Sequence, residues 1–382
     1  MHFFDAAIIG LGVMGSAALA ALARRGQRVV GIDRFAGGHD RGSSHGTTRV
    51  IRLGYFEHPS YVPLLRAAYP LWRELETRSG QSLLSVTGIL EMGAPDSDLV
   101  AGTLRSARLH NLAHEILDAP TLVKRFPAFC LPEHFAGVFQ PDGGFVRAEP
   151  TVAALQTLAQ RCGAQLRMEA RVVAVEPHRD GVLVKAEHDD ILAGCAIVAA
   201  GPWLKSVLPQ LPVPIRVTRQ VLGWFEPTDR ARAQFAAGRF PVFLLQNPDG
   251  IFYGFPAEAD GVKVAKHHHV DEAVDPDHYD RTVSAGDEAM IRIALHAHLP
   301  DADGRLLAAR TCLYTMTPDG DFILDRLPGY PQIIVASPCS GHGFKFAPVI
   351  GEILADLAVT GRTVHDISRF SLARFMKPGA VM

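Results

Sequence analysis

Three short segments carry residues able to do chemistry. Gly10-Leu11-Gly12-Val13-Met14-Gly15 lies near the start, and Cys312-Leu313-Tyr314-Thr315-Met316-Thr317-Pro318-Asp319 and Ser340-Gly341-His342-Gly343-Phe344-Lys345 lie near the end. In the first segment Gly10 permits a tight turn and Gly12 lets the backbone approach a pyrophosphate. Gly15 lets the next helix pack on its sheet, with the helix N-terminus facing the phosphates. Asp33 follows at roughly the 20-residue spacing from which a carboxylate accepts ribose hydroxyls. The pattern predicts a bound dinucleotide, the bland alternative being a tight turn with no ligand. Asp33 disfavours a 2′-phosphate and hence NADP, but leaves NAD and FAD open. The two late segments place a thiol and a lysine where a redox-active ring would finish the site.

The elements that must position these residues can be read from the pattern. Residues 5–33 form one βαβ unit: a strand at Ala6–Ile9, a helix from Val13 to Arg25 stopped by Gly26, and a strand at Val29–Asp33. Parallel strands around a helix imply a doubly wound sheet. Residues 34–58 read as a long loop marked by Gly37, Gly38, Gly42 and Gly46, and loops of that length are usually functional. Helices are predicted at 61–79, 96–110, 149–162, 286–299 and 346–357. A β-meander is predicted at 171–187, a buried strand at Cys195–Gly201, and alternating strands over 215–269. Two short strands follow Cys312, at 321–324 and 332–336. The fold class is α/β with an α+β insert: a Rossmann-like nucleotide domain (1–80, 146–214 and 311–382) interleaved with a mixed-sheet substrate and catalytic domain (81–145 and 215–310).

Bulk properties narrow the function. The 382 residues suit two domains. Apolar residues are 48% and charged residues 20%, so a large core is available. A net charge of −2 steers the chain toward neither nucleic acid nor anionic lipid. No apolar run reaches the roughly 20 residues that cross a bilayer, and no cationic leader opens the chain. Five scattered cysteines without Cys-x-x-Cys fit a reducing cytoplasm. His267-His268-His269 is not read as a metal site, because successive strand residues point to opposite faces.

Taken together, the motifs resemble the family of monomeric sarcosine oxidase and N-methyl-tryptophan oxidase, FAD-dependent enzymes that oxidise secondary amines of amino acids. The loop Ser44-His45-Gly46-Thr47-Thr48-Arg49-Val50-Ile51-Arg52 resembles that family's flavin-facing loop, and Ala199-Ala200-Gly201 its second nucleotide contact. The resemblance implies FAD held by Gly10, Gly12, Gly15, Asp33, Arg34, Ser43, His45, Thr48, Arg49, Val173, Gly201, Gly341, Gly343, Phe344 and Lys345. It implies a thioether from Cys312 to the flavin, helped by Arg49 and His45 lowering the thiol pKa. Arg52 and Lys345 would grip the substrate carboxylate. Lys263 would promote oxygen reduction as a fixed cation, and His267 and Tyr253 would face the substrate. Lys263 and His267 would share one face of a strand. Met316 and Pro338-Cys339 depart from the family pattern and point to a roomier pocket, open to a bulkier N-alkyl or cyclic amino acid as well as sarcosine.

The expected reaction binds the amine neutral, passes hydride from the adjacent carbon to flavin N5, hydrolyses the imine and returns the electrons to O2 as hydrogen peroxide. The expected partners are an amino-acid substrate and O2, with no nucleic acid and no membrane, and the protein is expected to be a cytoplasmic monomer. Three rivals stand beside this reading: an FAD dehydrogenase using another electron acceptor, a dinucleotide-binding protein without turnover, and, most distantly, an NAD dehydrogenase.

Overall fold

The computed structural model describes residues 3–376. Strand Phe3–Ile9 pairs in parallel with Val29–Ile32 on one side and Ile191–Val198 on the other. Helix Val13–Arg24 crosses between the first two. This is the βαβ unit expected from the sequence, right to within a residue at most boundaries. The sheet extends through Gln165–Arg167 beyond Val29–Ile32. The antiparallel pair Val172–His178 and Gly181–Ala186 joins it through Ile191–Val198. Strand Tyr330–Ser337 pairs in parallel with the end of Ile191–Val198. Segments far apart in sequence therefore build one eight-stranded sheet. Its central strands are buried on both faces and read as continuous apolar runs, as parallel strands do. Helices Val13–Arg24, Ala148–Arg161, Val62–Ser79 and Ala347–Thr360 pack together on one of those faces.

A second eight-stranded sheet runs in the order 306–316, 216–225, 262–266, 250–254, 242–247, 89–93, 136–140 and 115–118. Phenylalanines 126, 129, 135, 139, 225, 235, 240 and 243 fill its core. Helix Ala285–His298 starts at a capping box in which Ser284 and Asp287 satisfy each other's backbone N–H. A three-stranded sheet joins Thr48–Ile51, Gly144–Arg147 and Leu84–Val86.

Two local expectations are corrected, and one strand is added. The stretch 34–58 is not all loop: Thr48–Ile51 is a strand, pinned by antiparallel pairing to Gly144–Arg147. Its partner lies about a hundred residues away, so local pattern could not reveal it. Cys312 lies within an eleven-residue strand, Leu306–Met316, paired along its length with Arg216–Phe225. His267 falls just beyond strand Val262–Lys266, so it does not share a strand face with Lys263.

Candidate active site

One cavity of about 540 Å³ runs from the glycine turn to Lys345. Gly10, with φ of 90°, sits where a Cβ would lie 2.5 Å from the Ala199 carbonyl oxygen, so only glycine fits this close approach. Gly12 faces the cavity, and Ser44 Oγ accepts the Val13 N–H at the helix start. Asp33 Oδ2 accepts the Leu11 N–H at 2.7 Å and Oδ1 that of Phe35. The carboxylate thus braces the glycine turn while still bordering the cavity. Arg34 borders it too, paired with Asp277 at 2.6 Å. Ser43, Val173 and Gly201 line the same space. Gly15 does not: it packs against the Gly10 carbonyl, as a helix-packing glycine should. Gln220 Oε1, from a residue on the cavity wall, is buried without a partner. Buried polar atoms seldom stay unpaired, and an elongated, glycine-floored cleft with such an atom suits a dinucleotide.

The turn at Gly46–Thr47 is strained and braced. Gly46 and Thr47 both have positive φ, 90° and 65°, a conformation that costs threonine energy. Glu149 holds it by accepting the N–H of both residues, at 2.7 and 3.1 Å. Arg49 donates to the carbonyls of Ser43, His45 and Thr48 and lies 3.7 Å from the Cys312 sulfur. Burial by itself would push the Cys312 thiol up. The nearby His45, Arg49 and Lys263 outweigh burial and bring its pKa down to about 7. His45 is buried behind the turn, bonded to the Gly42 carbonyl. Thr48 is buried as well, and Lys263 Nζ donates to the Gly46 carbonyl at 2.6 Å, the Thr48 carbonyl at 2.8 Å and the Thr48 hydroxyl at 3.3 Å. Of the site residues expected from the sequence, Gly15, His45, Thr48 and Lys263 therefore stand behind the cavity wall, while the others border it.

At the far end two buried cations flank the Tyr55 ring. Arg52 Cζ lies 4.3 Å and Lys345 Nζ 5.2 Å from its centre. Arg52 Nη2 donates to both oxygens of Glu57 at 2.9 and 2.8 Å. Lys345 donates to the His342 carbonyl at 2.7 Å. Burial and the repulsion of Arg52 pull Lys345 down to about 7, against the attraction of Glu57 and Glu91. Tyr253, Tyr314 and His267 complete this end, with His267 Nδ1 3.2 Å from the Tyr314 hydroxyl. Burial, then neighbouring positive charge, lowers His267 well below its ordinary range, and burial raises both phenols. All three are neutral at pH 7.

Glycines close the wall. Gly341 has φ of 83°, and a Cβ there would meet the rings of Tyr314 and His267 at 2.5 and 2.9 Å. A Cβ on Gly343 would fall 1.6 Å from the Pro338 carbonyl oxygen. Gly343→Ala is expected to destabilise the protein by about 1–3 kcal/mol, the usual cost of overpacking. A lower thermal midpoint together with reduced dinucleotide content checks it.

Residues the sequence did not single out also belong here. Glu57 occupies Arg52, Glu91 stands behind it, and the Tyr55 hydroxyl bonds His342 Nδ1 at 2.6 Å. The one available signal was Glu91, a lone charge in the apolar run Ile89-Leu90-Glu91-Met92.

The fold and site define a dinucleotide-dependent redox enzyme. The chain belongs to the family described as FAD dependent oxidoreductase, which it matches over residues 5–357. It is 40% identical to the monomeric sarcosine oxidase of Streptomyces avermitilis, over 97% of each chain. It is 36% identical to an N-methyl-L-tryptophan oxidase of Salmonella dublin, over 97% of this chain and 99% of that one. The structure of NikD, an unusual amino acid oxidase essential for nikkomycin biosynthesis, superposes with a TM-score of 0.84 at 28% identity, covering 97% of this chain and 98% of that one. The dinucleotide is therefore FAD, as the resemblance implied, and not NAD.

Proposed function

We propose that this flavoenzyme oxidises the secondary amine of an N-alkyl or cyclic amino acid and passes the electrons to O2. The observation that carries the reading is the pair of buried cations, Arg52 and Lys345, at the closed end of a flavin cavity. A buried cation without a resident anion is expensive, and Arg52 is held by a side-chain carboxylate that a substrate carboxylate can replace in kind. The relatives named sarcosine oxidase and N-methyl-L-tryptophan oxidase support the substrate class.

FAD, when bound, would supply the hydride acceptor for the carbon beside nitrogen and the two-electron exchange with O2 that gives hydrogen peroxide. The chain's residues do the rest. Arg52 and Lys345 fix the carboxylate and so orient that carbon. Burial beside two cations disfavours an ammonium, so the amine is held neutral with its lone pair available. His267, Tyr253 and Tyr314 are neutral and position the amine rather than serve as strong bases. Phe56, Leu244 and Ile251 form an apolar wall for the carbon skeleton. Lys263 supplies positive charge beside the flavin-facing turn for the oxygen reaction. The glycine cradle, Asp33, Arg34, Ser43, Val173 and Gly201 would hold the nucleotide, and Cys312, with its lowered pKa, is the residue that would carry its covalent attachment. The nucleotide domain (1–80, 146–214 and 311–382) and the substrate and catalytic domain (81–145 and 215–310) divide these roles between them. A cytoplasmic monomer fits the relatives named monomeric and the lack of any membrane-spanning helix among the described residues.

Anaerobic mixing with sarcosine, N-methyl-tryptophan, pipecolate, proline and primary amino acids tests the activity. A secondary amine should bleach the flavin, and air should restore it with peroxide. Bleaching by primary amino acids alone would refute the substrate class, and bleaching that air fails to reverse would favour a dehydrogenase. Acid precipitation tests the attachment: the pellet should stay yellow, and a colourless pellet over yellow supernatant would refute the bond through Cys312.

A further inference from the structure

Glu91 is a fully buried carboxylate in strand Ile89–Gly93, whose other residues are apolar or glycine. Such a group persists only where it has partners. Its Oε2 accepts from Gln140 Nε2 at 2.5 Å, and Gln140 Oε1 accepts the Gly54 N–H at 2.6 Å. The Gly54 carbonyl accepts from Arg52 Nη1 at 2.9 Å, and Glu91 Oε1 lies 3.3 Å from that same Nη1. The four residues close a ring behind the guanidinium. Glu57 meets the other side of it through Nη2. Arg52 thus has a front, where one carboxylate sits in the cavity wall, and a rear, where a second cannot leave.

We propose that Glu91 is a positioning residue of the carboxylate site, a rear anchor for Arg52 whose charge sets how strongly the guanidinium holds an incoming carboxylate. The inference rests on the reading of Arg52 as the substrate's carboxylate partner. When a substrate carboxylate takes over the Arg52 hydrogen bonds of Glu57, Glu57 stays beside the site, so the ring through Gln140 and Gly54 keeps Arg52 aimed and the site gains one negative charge. The charge of Glu91 then competes for the same cation. The charged and polar groups facing it are Arg52, Glu57 and Lys345, with Thr103 from helix Asp98–Leu109 and Gln140 from strand Ala136–Gln140. Burial, opposed by Arg52 and reinforced by Glu57, pushes Glu91 up to about 7. Glu91 Oε1 meets Arg52 Nη1 as an ion pair and makes no hydrogen bond, so losing its charge breaks none. Below pH 7 a protonated Glu91 leaves the positive charge of Arg52 uncompensated from behind. Above pH 7 it ionises while Lys345 loses its proton, and both changes weaken carboxylate binding.

Propionate, which carries no amine to titrate, is the probe, and the flavin spectrum of the holoenzyme reports its Kd from pH 6 to 9. Wild-type affinity should fall as pH rises. Glu91→Gln keeps the shape and removes the charge, so it should match wild type near pH 6 and bind about 5- to 10-fold tighter at pH 8.5, as coupling of about one pKa unit requires. The residual pH dependence belongs to Lys345. Identical pH profiles for wild type and Glu91→Gln would overturn the proposal. Infrared difference spectra of the wild type supply a second measurement that needs no variant. Adding propionate at pH 8 should increase the protonated-carboxyl band, and no change in it would also overturn the proposal. Arg52→Ala separates the two levels. Unchanged propionate affinity there would overturn the carboxylate reading and this proposal with it. Lost affinity there, with an unaltered Glu91→Gln profile, overturns this proposal alone.

Discussion

Arg52→Ala is expected to raise the substrate KM by about 10²- to 10³-fold while FAD stays bound. Arg52 is 2% exposed, so its hydrogen bonds to a carboxylate operate out of water. Removing one partner of such a buried charged pair costs about 3–5 kcal/mol, and each 1.36 kcal/mol is tenfold. The contact forms alike in ground and transition states, so KM takes most of the loss and kcat less. Removal also leaves Glu57 facing Glu91, and Glu91 answers by staying protonated to higher pH. Arg52→Lys keeps the charge and loses the planar fork, so it should fall between wild type and alanine. Steady-state kinetics beside flavin content of the denatured protein check this. An unchanged KM would remove Arg52 from the substrate site.

Lys263→Met is expected to slow re-oxidation of the reduced protein by O2 by about 10²- to 10³-fold, the range for loss of one preorganised electrostatic group. Anaerobic reduction by substrate should stay within a few-fold. The first electron reaching O2 creates an anion, and a cation already fixed in place stabilises it without reorganisation. The three acceptors around Lys263 Nζ match the three donors of an ammonium. Burial, reinforced by Arg49, lowers its pKa well below the ordinary lysine range. The sign follows: the charged form exists only below the lowered value, so rising pH should slow re-oxidation at a pH where a free lysine is still charged. The variant should lose that pH dependence. Stopped-flow measurement of each half-reaction decides, and equal slowing of both would contradict the role.

Much of the site was legible in the chain because its parts are local. Gly10, Gly12 and Gly15 carry their meaning in a six-residue turn, and the unit around them obeys short-range rules. Cys312 and Lys345 sit in contiguous motifs that resemblance could match residue by residue. The strand at Thr48–Ile51 was not legible, since its pairing partner is Gly144–Arg147. Glu57 was missed because a loop glutamate is ordinarily solvated. Only the close approach of Arg52 makes it part of the site.

The sequence by itself determined the cofactor class through motifs that match in order along the whole chain, and the βαβ unit and the identities of the thiol and cations through residue type within short windows. Tertiary structure decided which of these groups meet and in what charge state. Cys312 is acidic only because His45, Arg49 and Lys263 gather around it from two other segments. Lys345 titrates near neutrality only because it is buried beside Arg52. Glu91 matters only because strand pairing carries it behind the guanidinium. Charge and burial act through distance in space, and distance in space between remote segments is set by the fold.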